Sequence, residues 1–296
     1  MFKRARIIYN PSAGRELFRK HIPSILEKLE RAGYETSCHA TTGAGDAMRA
    51  AETAVERRCD LVVAAGGDGT VNEVVNGLAE KKYRPQLGII PAGTTNDFAR
   101  ALGIPKDFEA ACDVIINGKT TSIDVGKVNR QYFINIAGGG TLTELTYEVP
   151  SRLKTMFGQL AYYVKGIEKL AWLKPTRVTI TSPKRVIDEE IMLFLVANSH
   201  SVGGFEKLAP KAVMNDGYFD VLVVRKTTMP EFLKIATQVI KGDHIHDPRV
   251  IYFQTAELKV TSAYPVQLNL DGERGGTLPS HFKVLHKHLV LRTPPN

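Results

Sequence analysis

A chain of 296 residues is long for one hydrophobic core and favours two domains, while 43% hydrophobic and 24% charged residues are typical of a soluble globular protein. The net charge of +8 favours anionic partners such as ATP or an acidic membrane surface, and no zinc finger, RNA-binding motif or arginine-rich arm indicates nucleic acid. No apolar run approaches the ~18–20 residues of a membrane span, and residues 1–4 lead into a strand-like run without a signal core, so we expect a cytoplasmic protein.

The first part of the chain alternates between short apolar strands and helical periodicity. Strands are predicted at 6–9, 61–65 and 87–90, and helices at 17–29, 71–78 and 97–102. Strands that alternate with helices imply right-handed crossovers and a parallel sheet. We therefore predict a Rossmann-like parallel α/β domain at residues 1–126.

From Val125 onward the apolar period changes to two residues. The alternating segments lie at 178–181, 191–197, 219–224, 258–261, 266–270 and 282–285. Turn residues separate them, which predicts an antiparallel β-sandwich at residues 127–286. Helical interruptions are expected at 151–172 and 229–240, and the last strand, 287–296, is expected to pack back on the first domain.

Three of the predicted parallel strands end in glycine-containing loops that open helices, at 10–14, 66–70 and 93–96. Ligands of parallel α/β sheets bind beyond the carboxyl ends of the strands. Glycine allows the backbone to come close to phosphate oxygens, and a helix start offers free N–H donors. One Gly-Gly before a helix is more often a tight turn, but three loops on one edge predict a phosphate site. Neither a Walker A loop nor G-x-G-x-x-G is present.

Asp68 lies inside the second of these loops. A carboxylate among phosphate-binding amides would repel a nucleotide unless a cation intervened, so Asp68 is expected to hold Mg²⁺ directly or through water. The alternative is a helix N-cap. Asp97, which follows Asn96 in the third loop, has the same two interpretations.

Residues 66–73, GGDGTVNE, resemble the first signature of the lipid kinase family that includes diacylglycerol, sphingosine and ceramide kinases. Residues 91–100, PAGTTNDFAR, resemble its second signature, and the resemblance extends through 10–14, 123–126, 215–217 and 269–273. The first signature is shared with NAD kinases and 6-phosphofructokinases, whereas the second signature together with Asp-Gly-Glu is specific. Within the family the chain is most similar to the soluble bacterial diacylglycerol kinases.

The resemblance implies ATP and Mg²⁺ as cofactors. The positions that match nucleotide contacts, with Gly66, Asn96 and Asp97 added from the same loops, are Asn10, Pro11, Ser12, Ala13, Gly14, Thr41, Gly66, Gly67, Asp68, Gly69, Thr70, Val71, Asn72, Glu73, Thr94, Asn96 and Asp97. It also implies a structural Mg²⁺ loop at 213–218, to which Asp216 contributes a carboxylate and Val213 and Tyr218 contribute carbonyls.

Glu273 matches the general base of the family, and we place Asp271 and Asp68 beside it in the catalytic set. Asp124 matches a residue of the supporting hydrogen-bond network. Taken by itself, Asp-Gly-Glu at 271–273 is more typical of a solvated hairpin turn. Family members of this kind are often homodimers, so we expect a homodimer here.

The implied reaction uses ATP to phosphorylate 1,2-diacylglycerol to phosphatidate, for phospholipid synthesis, in the cleft between the two domains. The residues leave alternatives open: another acceptor, such as a sphingoid base, phosphatidylglycerol or NAD, or a nucleotide-binding regulator that has lost catalysis.

The diacylglycerol substrate lies in a bilayer, so a transient peripheral contact with an anionic membrane is expected. Residues 152–172 mix large apolar side chains with Lys154, Lys165 and Lys169, which together with Arg15 could face anionic lipid. A core helix with a solvated basic edge is a slightly stronger interpretation of the same pattern.

Histidines and cysteines are given no chemical role. His244, His246, His281, His286 and His288 have no obvious carboxylate partner and are expected at solvated or strand-surface positions. The three cysteines are expected to be buried thiols, because none has the spacing of a metal motif.

Overall fold

The computed structural model describes residues 3–140, 175–200, 205 and 207–295, apart from the side chains of Arg15 and Glu16. The chain forms two compact units, the first from Met1–Val125 and His286–Asn296 and the second from Gly126–Leu285. The predicted helix at 151–172 and the side chain of Arg15 lie outside the described residues. Among the described helices, none is both long and apolar enough to cross a bilayer.

The first unit is a parallel sheet with helical crossovers. Its elements are β1 (Lys3–Tyr9), α1 (Phe18–Arg31), β2 (Tyr34–Ala40), α2 (Asp46–Glu56), β3 (Leu61–Gly66), α3 (Asp68–Leu78), β4 (Gln86–Pro91), α4 (Asp97–Ala101), α5 (Phe108–Asn117) and the start of β5 (Lys119–Val128). The strands pair in the order β2-β1-β3-β4, all parallel.

The centre of this sheet is its most apolar part. All six residues of β3 are buried, which is typical of a strand covered on both faces. The last strand, β15 (Ser280–Thr293), returns to this unit and lies parallel to β4, where Leu291 pairs with Leu87. A Cβ on Gly77 of α3 would lie 2.4 Å from Met48 O, so α3 and α2 pack closely enough to require glycine there.

The second unit is built from antiparallel strands. They are β6 (Gln131–Phe133), β7 (Ile136–Gly140), β8 (Thr176–Ser182), β9 (Arg185–Ala197), β10 (Phe219–Arg225), β11 (Val250–Thr255), β12 (Glu257–Ser262), β13 (Gln267–Leu270) and β14 (Glu273–Thr277), with one helix, α6 (Met229–Val239), among its described residues. The long strand β9 pairs with β8, β7 and β10.

Alternating side chains of these strands form one core, which includes Phe133, Phe194, Phe219 and Phe282. Phe133 and Phe219 stack with their ring centroids 5.4 Å apart. The predicted fold class, a parallel α/β domain followed by an antiparallel β-sandwich, is confirmed.

Candidate active site

The loops that follow β1, β3 and β4 meet at the carboxyl edge of the parallel sheet. Asn10 N donates to Ala65 O at 3.0 Å, and Ala92 N donates to Gly66 O at 2.9 Å, so the pairing of the strands continues into the loops. Helices α3 and α4 begin directly after two of these loops, at Asp68 and Asp97. The structure therefore brings two helix N-termini and three predicted loops to one edge, which is an arrangement suited to phosphate.

Glycine is required at this edge for backbone packing. A Cβ on Gly93 would lie 2.4 Å from the Cα of Gly67, and a Cβ on Gly66 would lie 2.5 Å from Thr70 Oγ1. A Cβ on Gly67 itself would meet only Gly93 Cα, at 3.4 Å, which is an ordinary contact. Protein packing alone thus explains Gly93 and Gly66. It does not explain Gly67, the glycine at which we predicted the close approach of a phosphate.

The two aspartates of these loops begin helices without capping them. The N-cap residues of α3 and α4 are Gly67 and Asn96, so the N-cap interpretation of Asp68 and Asp97 is wrong. Asp68 Oδ1 instead accepts a hydrogen bond from Phe98 N at 3.4 Å and links the two helix starts. Asp97 is buried and contacts the guanidinium of Arg100.

Asn96 fixes the shape of the third loop. It has a φ of +51°. Its Oδ1 accepts from Gly93 N at 3.0 Å and its Nδ2 donates to Gly93 O at 2.7 Å. In the same loop Thr94 is exposed, whereas Val71 of α3 is buried and its amide donates to Gly67 O. Asn96 and Val71 thus stabilise the loops through contacts within the protein, whereas Thr94 faces solvent.

A fourth loop, which follows β2 and contains Thr41, is tied to the same edge by Glu73. The carboxylate of Glu73 accepts from Gly45 N at 2.8 Å through Oε1 and from Ala47 N at 3.0 Å through Oε2. Thr41 N donates to Tyr9 O at 2.9 Å. Glu73, predicted from the motif as a nucleotide contact, therefore also anchors the start of α2 to α3.

Asp46 is a residue of this region that the sequence analysis missed. Its Oδ2 accepts from Thr42 N at 2.8 Å, from Thr42 Oγ1 at 2.9 Å and lies 3.2 Å from His39 Nε2. The Thr42 amide and hydroxyl, followed by the His39 ring, lower the pKa of Asp46 to about 2. The ionised carboxylate thus holds the entry to α2, and an Asp in a first helical turn was the available signal.

Asp124 is completely buried on β5. Its Oδ1 accepts from Lys287 N at 2.6 Å and lies 3.0 Å from His286 Nδ1. Lys287 has a φ of +47°, so the carboxylate supports an unusual backbone turn at the point where β15 enters the first unit.

In the second unit, Asp271 and Gly272 form the two-residue turn between β13 and β14. Both have positive φ, +50° and +96°, and Leu270 pairs with Glu273, as in a type I′ hairpin. Glu273 is the first residue of β14 and its side chain is exposed. The local sequence thus folds as a tight hairpin, and this places Glu273 at the strand start beside the turn.

Asp271 is an anchor for the segment between β6 and β7. Its Oδ2 accepts from Ile134 N at 2.7 Å, and its Oδ1 accepts from Asn135 N at 2.9 Å and Ile136 N at 2.8 Å. A carboxylate that receives three amide hydrogens is held rigidly. The structure therefore gives Asp271, which we predicted in the catalytic set, a positioning role next to Glu273.

The predicted Mg²⁺ loop at 213–218 is a tight polar turn. Asp216 Oδ1 accepts from Tyr218 N at 2.9 Å, Gly217 has a φ of +82°, and the side chains of Val213 and Tyr218 are exposed. Within the described residues no group of three or more His, Cys, Asp or Glu side chains could hold a metal ion. A cation in this loop would therefore depend on one carboxylate and on backbone carbonyls, which are ligands that suit Mg²⁺.

Asp220, four residues after Asp216, was also missed. It is 1% exposed, contacts the hydroxyl of Tyr252 and accepts from Gln254 Nε2 at 3.2 Å. Burial raises its pKa, and the nearby carboxylate of Asp216 raises it further. A second acidic group, on β10 directly after the loop, thus lies close enough to Asp216 to be affected by its charge.

The expectation for the histidines needs correction. His244 is fully buried in the short 3-10 helix Asp243–His246, with Nε2 2.9 Å from Leu208 O. His286 and His281 lie near carboxylates, those of Asp124 and Glu257. His246, His281 and His286 are nevertheless exposed, the last two on the surface of β15, as expected. The expectation is wrong for His244, because sequence spacing does not distinguish a buried histidine. The three cysteines are free thiols, with Cys38 only partly buried.

Comparison with known proteins identifies the family of the chain. Residues 4–128 match the model of the diacylglycerol kinase catalytic domain, and residues 144–292 match that of the YegS C-terminal NAD kinase beta sandwich-like domain. The chain is 58% identical to a diacylglycerol kinase of Bacillus subtilis (strain 168) over 293 residues, covering 99% of this chain and 97% of the relative. It is 50% identical to one of Staphylococcus epidermidis (strain ATCC 12228 / FDA PCI 1200) over 294 residues, covering 99% and 93%.

A crystal structure of a diacylglycerol kinase from Bacillus anthracis str. Sterne has the same fold, with a TM-score of 0.83 at 28% identity, covering 99% of this chain and 97% of that one. The resemblance in the two glycine-rich signatures is thereby confirmed over the full chain. These relationships show that the chain is a kinase and belongs to the diacylglycerol kinase family.

Proposed function

We propose that this kinase transfers the γ-phosphoryl group of ATP to the primary hydroxyl of 1,2-diacylglycerol, giving ADP and phosphatidate for phospholipid synthesis. The observation that carries the proposal is the backbone contact between Gly67 and Gly93, which aligns the starts of α3 and α4 at one edge. Amides at two adjacent helix starts suit the phosphates of a nucleotide. Membership of the diacylglycerol kinase family supports the lipid acceptor.

The nucleotide would lie across the four loops of the first unit. Helix-start amides of α3 and α4 bind the phosphates, and the loop with Thr41 is held in reach by Glu73. Mg²⁺ supplies charge neutralisation when it is bound with ATP. Asp68 and Asp97 are the carboxylates of this edge that would orient it, which fits the carboxylate ligands that Mg²⁺ takes in nucleotide sites.

In the proposed chemical step, the hydroxyl oxygen of the lipid forms a bond to the γ-phosphorus while the bond to the β-phosphate oxygen breaks. The hydroxyl proton passes to the carboxylate of Glu273. Phosphoryl transfer has a loose transition state, so positioning contributes most and the base accepts the proton late. Since Glu273 lies in the second unit and the loops lie in the first, the proposal requires that residues of both units contribute to catalysis.

Replacement of Glu273 tests the assignment. Glu273→Gln should lower turnover at least ~10²-fold and leave ATP binding unchanged, because the base acts only in the transition state. The matched control is Glu257→Gln, which removes another exposed carboxylate of the second unit. Transfer of ³²P from γ-labelled ATP to a panel of dispersed lipids is the assay. Near-normal turnover of Glu273→Gln excludes Glu273 as the base, and labelling of a sphingoid base or phosphatidylglycerol instead of diacylglycerol excludes the proposed acceptor.

The loop at 213–218 is proposed as a second, structural Mg²⁺ site, with the Asp216 carboxylate and the carbonyls of Val213 and Tyr218 as ligands. Its effect would be on stability, so Mg²⁺ should raise the melting temperature of the wild type and not that of Asp216→Asn. We also propose a cytoplasmic homodimer that visits an anionic membrane transiently, as its bilayer substrate requires. Sedimentation equilibrium measures whether the protein is a dimer, and vesicle binding measures its contact with an anionic membrane.

A further inference from the structure

The second unit contains a basic cavity that the proposed chemistry does not use. Its volume is about 490 Å³, and the side chains of Lys207, Lys211, Lys241, His200 and His246 line it. The three lysines are exposed. They come from two stretches of chain, 207–212 and 241–246, so the fold assembles the cavity from separate segments.

The lysines of this cavity lack ion-pair partners among the described residues, although Lys211 is close enough to the buried Asp220 to oppose the rise in the pKa of that carboxyl group. No described carboxylate lies within ion-pair distance of Lys207, Lys211 or Lys241, whereas Lys226 of the same unit pairs with Glu190 at 2.9 Å. Asp247, which follows the cavity segment, is bound to Arg249 at 2.7 Å. Three unpaired ammonium groups around one concavity favour an anionic ligand.

Hydrogen bonding and packing hold the two walls of the cavity together. His244 Nε2 donates to Leu208 O at 2.9 Å and joins the 3-10 helix Asp243–His246 to the opposite wall. Gly242 has a φ of +83°, and a Cβ there would lie 3.5 Å from Lys207 Cβ. The lysine stems are thus supported by a preformed backbone, which lowers the entropy lost on binding.

Apolar surface accompanies the charge. Pro210, Ala212 and Ile245 also line the cavity. Ile240, which precedes Lys241, is 67% exposed, and Val213, which follows Ala212, is 50% exposed. Lysines beside exposed aliphatic side chains are the composition of a surface that meets both the headgroups and the acyl region of an acidic membrane.

We propose that this cavity binds the phosphate of an anionic phospholipid headgroup and thereby docks the second unit on the membrane. The proposal rests on the proposed function in one respect, since that function requires the protein to reach a substrate in a bilayer. It assigns the contact to described residues of the β-sandwich unit, which are different residues from those predicted to face lipid at 152–172.

The test compares two triple variants that remove the same charge. The cavity variant combines Lys207→Gln, Lys211→Gln and Lys241→Gln and so removes all three lysines that line the cavity. The control changes Lys184, Lys259 and Lys283 to Gln, which are exposed lysines on the turn after β8, on β12 and on β15. Co-sedimentation is measured with vesicles of phosphatidylcholine alone and mixed with phosphatidylglycerol. Each lysine near an acidic surface contributes about five-fold in binding, so the cavity variant should lose more than ~10-fold on mixed vesicles while the control loses much less.

Two results of the vesicle comparison would overturn the proposal. Equal loss in both variants would mean that only the net charge matters, and unchanged binding of the cavity variant would mean that these lysines are an ordinary solvated surface. Inorganic phosphate and glycerol 3-phosphate are then tested against the wild type by calorimetry. Binding of these soluble phosphates that depends on the three lysines, without any effect of the lysines on vesicle binding, would assign the cavity to a free phosphate compound instead.

Kinase activity on detergent-dispersed diacylglycerol separates this proposal from the proposed function. The cavity variant should keep its activity there and its melting temperature, because the changed side chains are exposed. Loss of detergent activity would place the cavity in the catalytic site and overturn the docking role. A wild type that phosphorylates no diacylglycerol would overturn the proposed function and leave the vesicle comparison valid.

Discussion

Replacing Asp271 by Asn separates positioning from chemistry in the Asp-Gly-Glu segment. The carboxylate of Asp271 accepts three amide hydrogens at 2.7–2.9 Å, from Ile134, Asn135 and Ile136. Asparagine has one carbonyl oxygen, so it can keep the two bonds that Oδ1 makes and must turn its NH₂ group toward Ile134 N. It also loses the negative charge.

The expected destabilisation follows from these contacts. A hydrogen bond to a charged group contributes about 1.5–3 kcal/mol, and one such bond is lost while two become neutral. We expect the free energy of unfolding to fall by about 2–4 kcal/mol. At roughly 2–4 °C per kcal/mol for a unit of this size, the second unit should melt roughly 4–16 °C lower.

The assay is thermal unfolding together with turnover on dispersed diacylglycerol. Asp271→Asn should lose stability and activity together, because the hairpin that carries Glu273 is released from the segment between β6 and β7. Glu273→Gln should lose activity while its stability changes by less than about 0.5 kcal/mol, since its side chain is exposed. An unchanged melting temperature for Asp271→Asn would refute the anchoring role derived from the three amides.

Further variants test the first unit. Gly93→Ala should lower stability by about 1–3 kcal/mol in denaturant unfolding, because its Cβ would lie 2.4 Å from Gly67 Cα. Gly67→Ala should keep the stability of the wild type and lose ATP affinity in calorimetry; retained affinity would remove the phosphate explanation for that glycine. Glu73→Gln should raise the KM for ATP about 10-fold and change kcat less. The reason is that the loop containing Thr41 loses one of the two hydrogen bonds that Glu73 accepts, from Gly45 N and Ala47 N. An unaltered KM would contradict this. Asp46 has a pKa of about 2 against an ordinary 3.8, so it stabilises the fold above about pH 4 and this stability is lost as the pH falls toward 2. Asp46→Asn should be less stable at neutral pH and show a weaker acid transition; an identical transition would exclude Asp46 as a contributor.

The sequence predicted best the elements whose apolar pattern results from burial on both faces of the sheet. β3 is entirely apolar and ends in glycines, so its position and its end were evident. β2, α2 and α5 were not predicted. Among the described strands, β2 pairs only with β1, and it has no fully buried residue, so nothing forces an apolar pattern on it. α2 packs through alanines, which allow close approach of α3 and give a weak hydrophobic period.

The loops of the candidate site could be predicted from the sequence, whereas the residues that hold those loops in place could not. Glycines and helix starts are local features, and the sequence places them correctly at the edge of the sheet. The contacts of Asp271 join residues 135–137 positions apart along the chain, and those of Glu73 cross 26 and 28 positions. No local pattern shows that a carboxylate will meet amides so far away, so these residues were assigned to nucleotide binding or catalysis on motif alone.

Glu73 and Asp271 illustrate why such supports resemble catalytic residues in an activity assay. Each is an acidic residue inside a signature motif, and each accepts hydrogen bonds from two or three backbone amides. No substitution other than proline removes a backbone N–H, so the carboxylate is the member of the contact that ordinary mutagenesis removes. Loss of either residue moves a loop or hairpin that carries the functional groups, and turnover falls although no reacting atom was touched. Stability therefore has to be measured beside activity before any acidic residue of these motifs is called a base or a metal ligand.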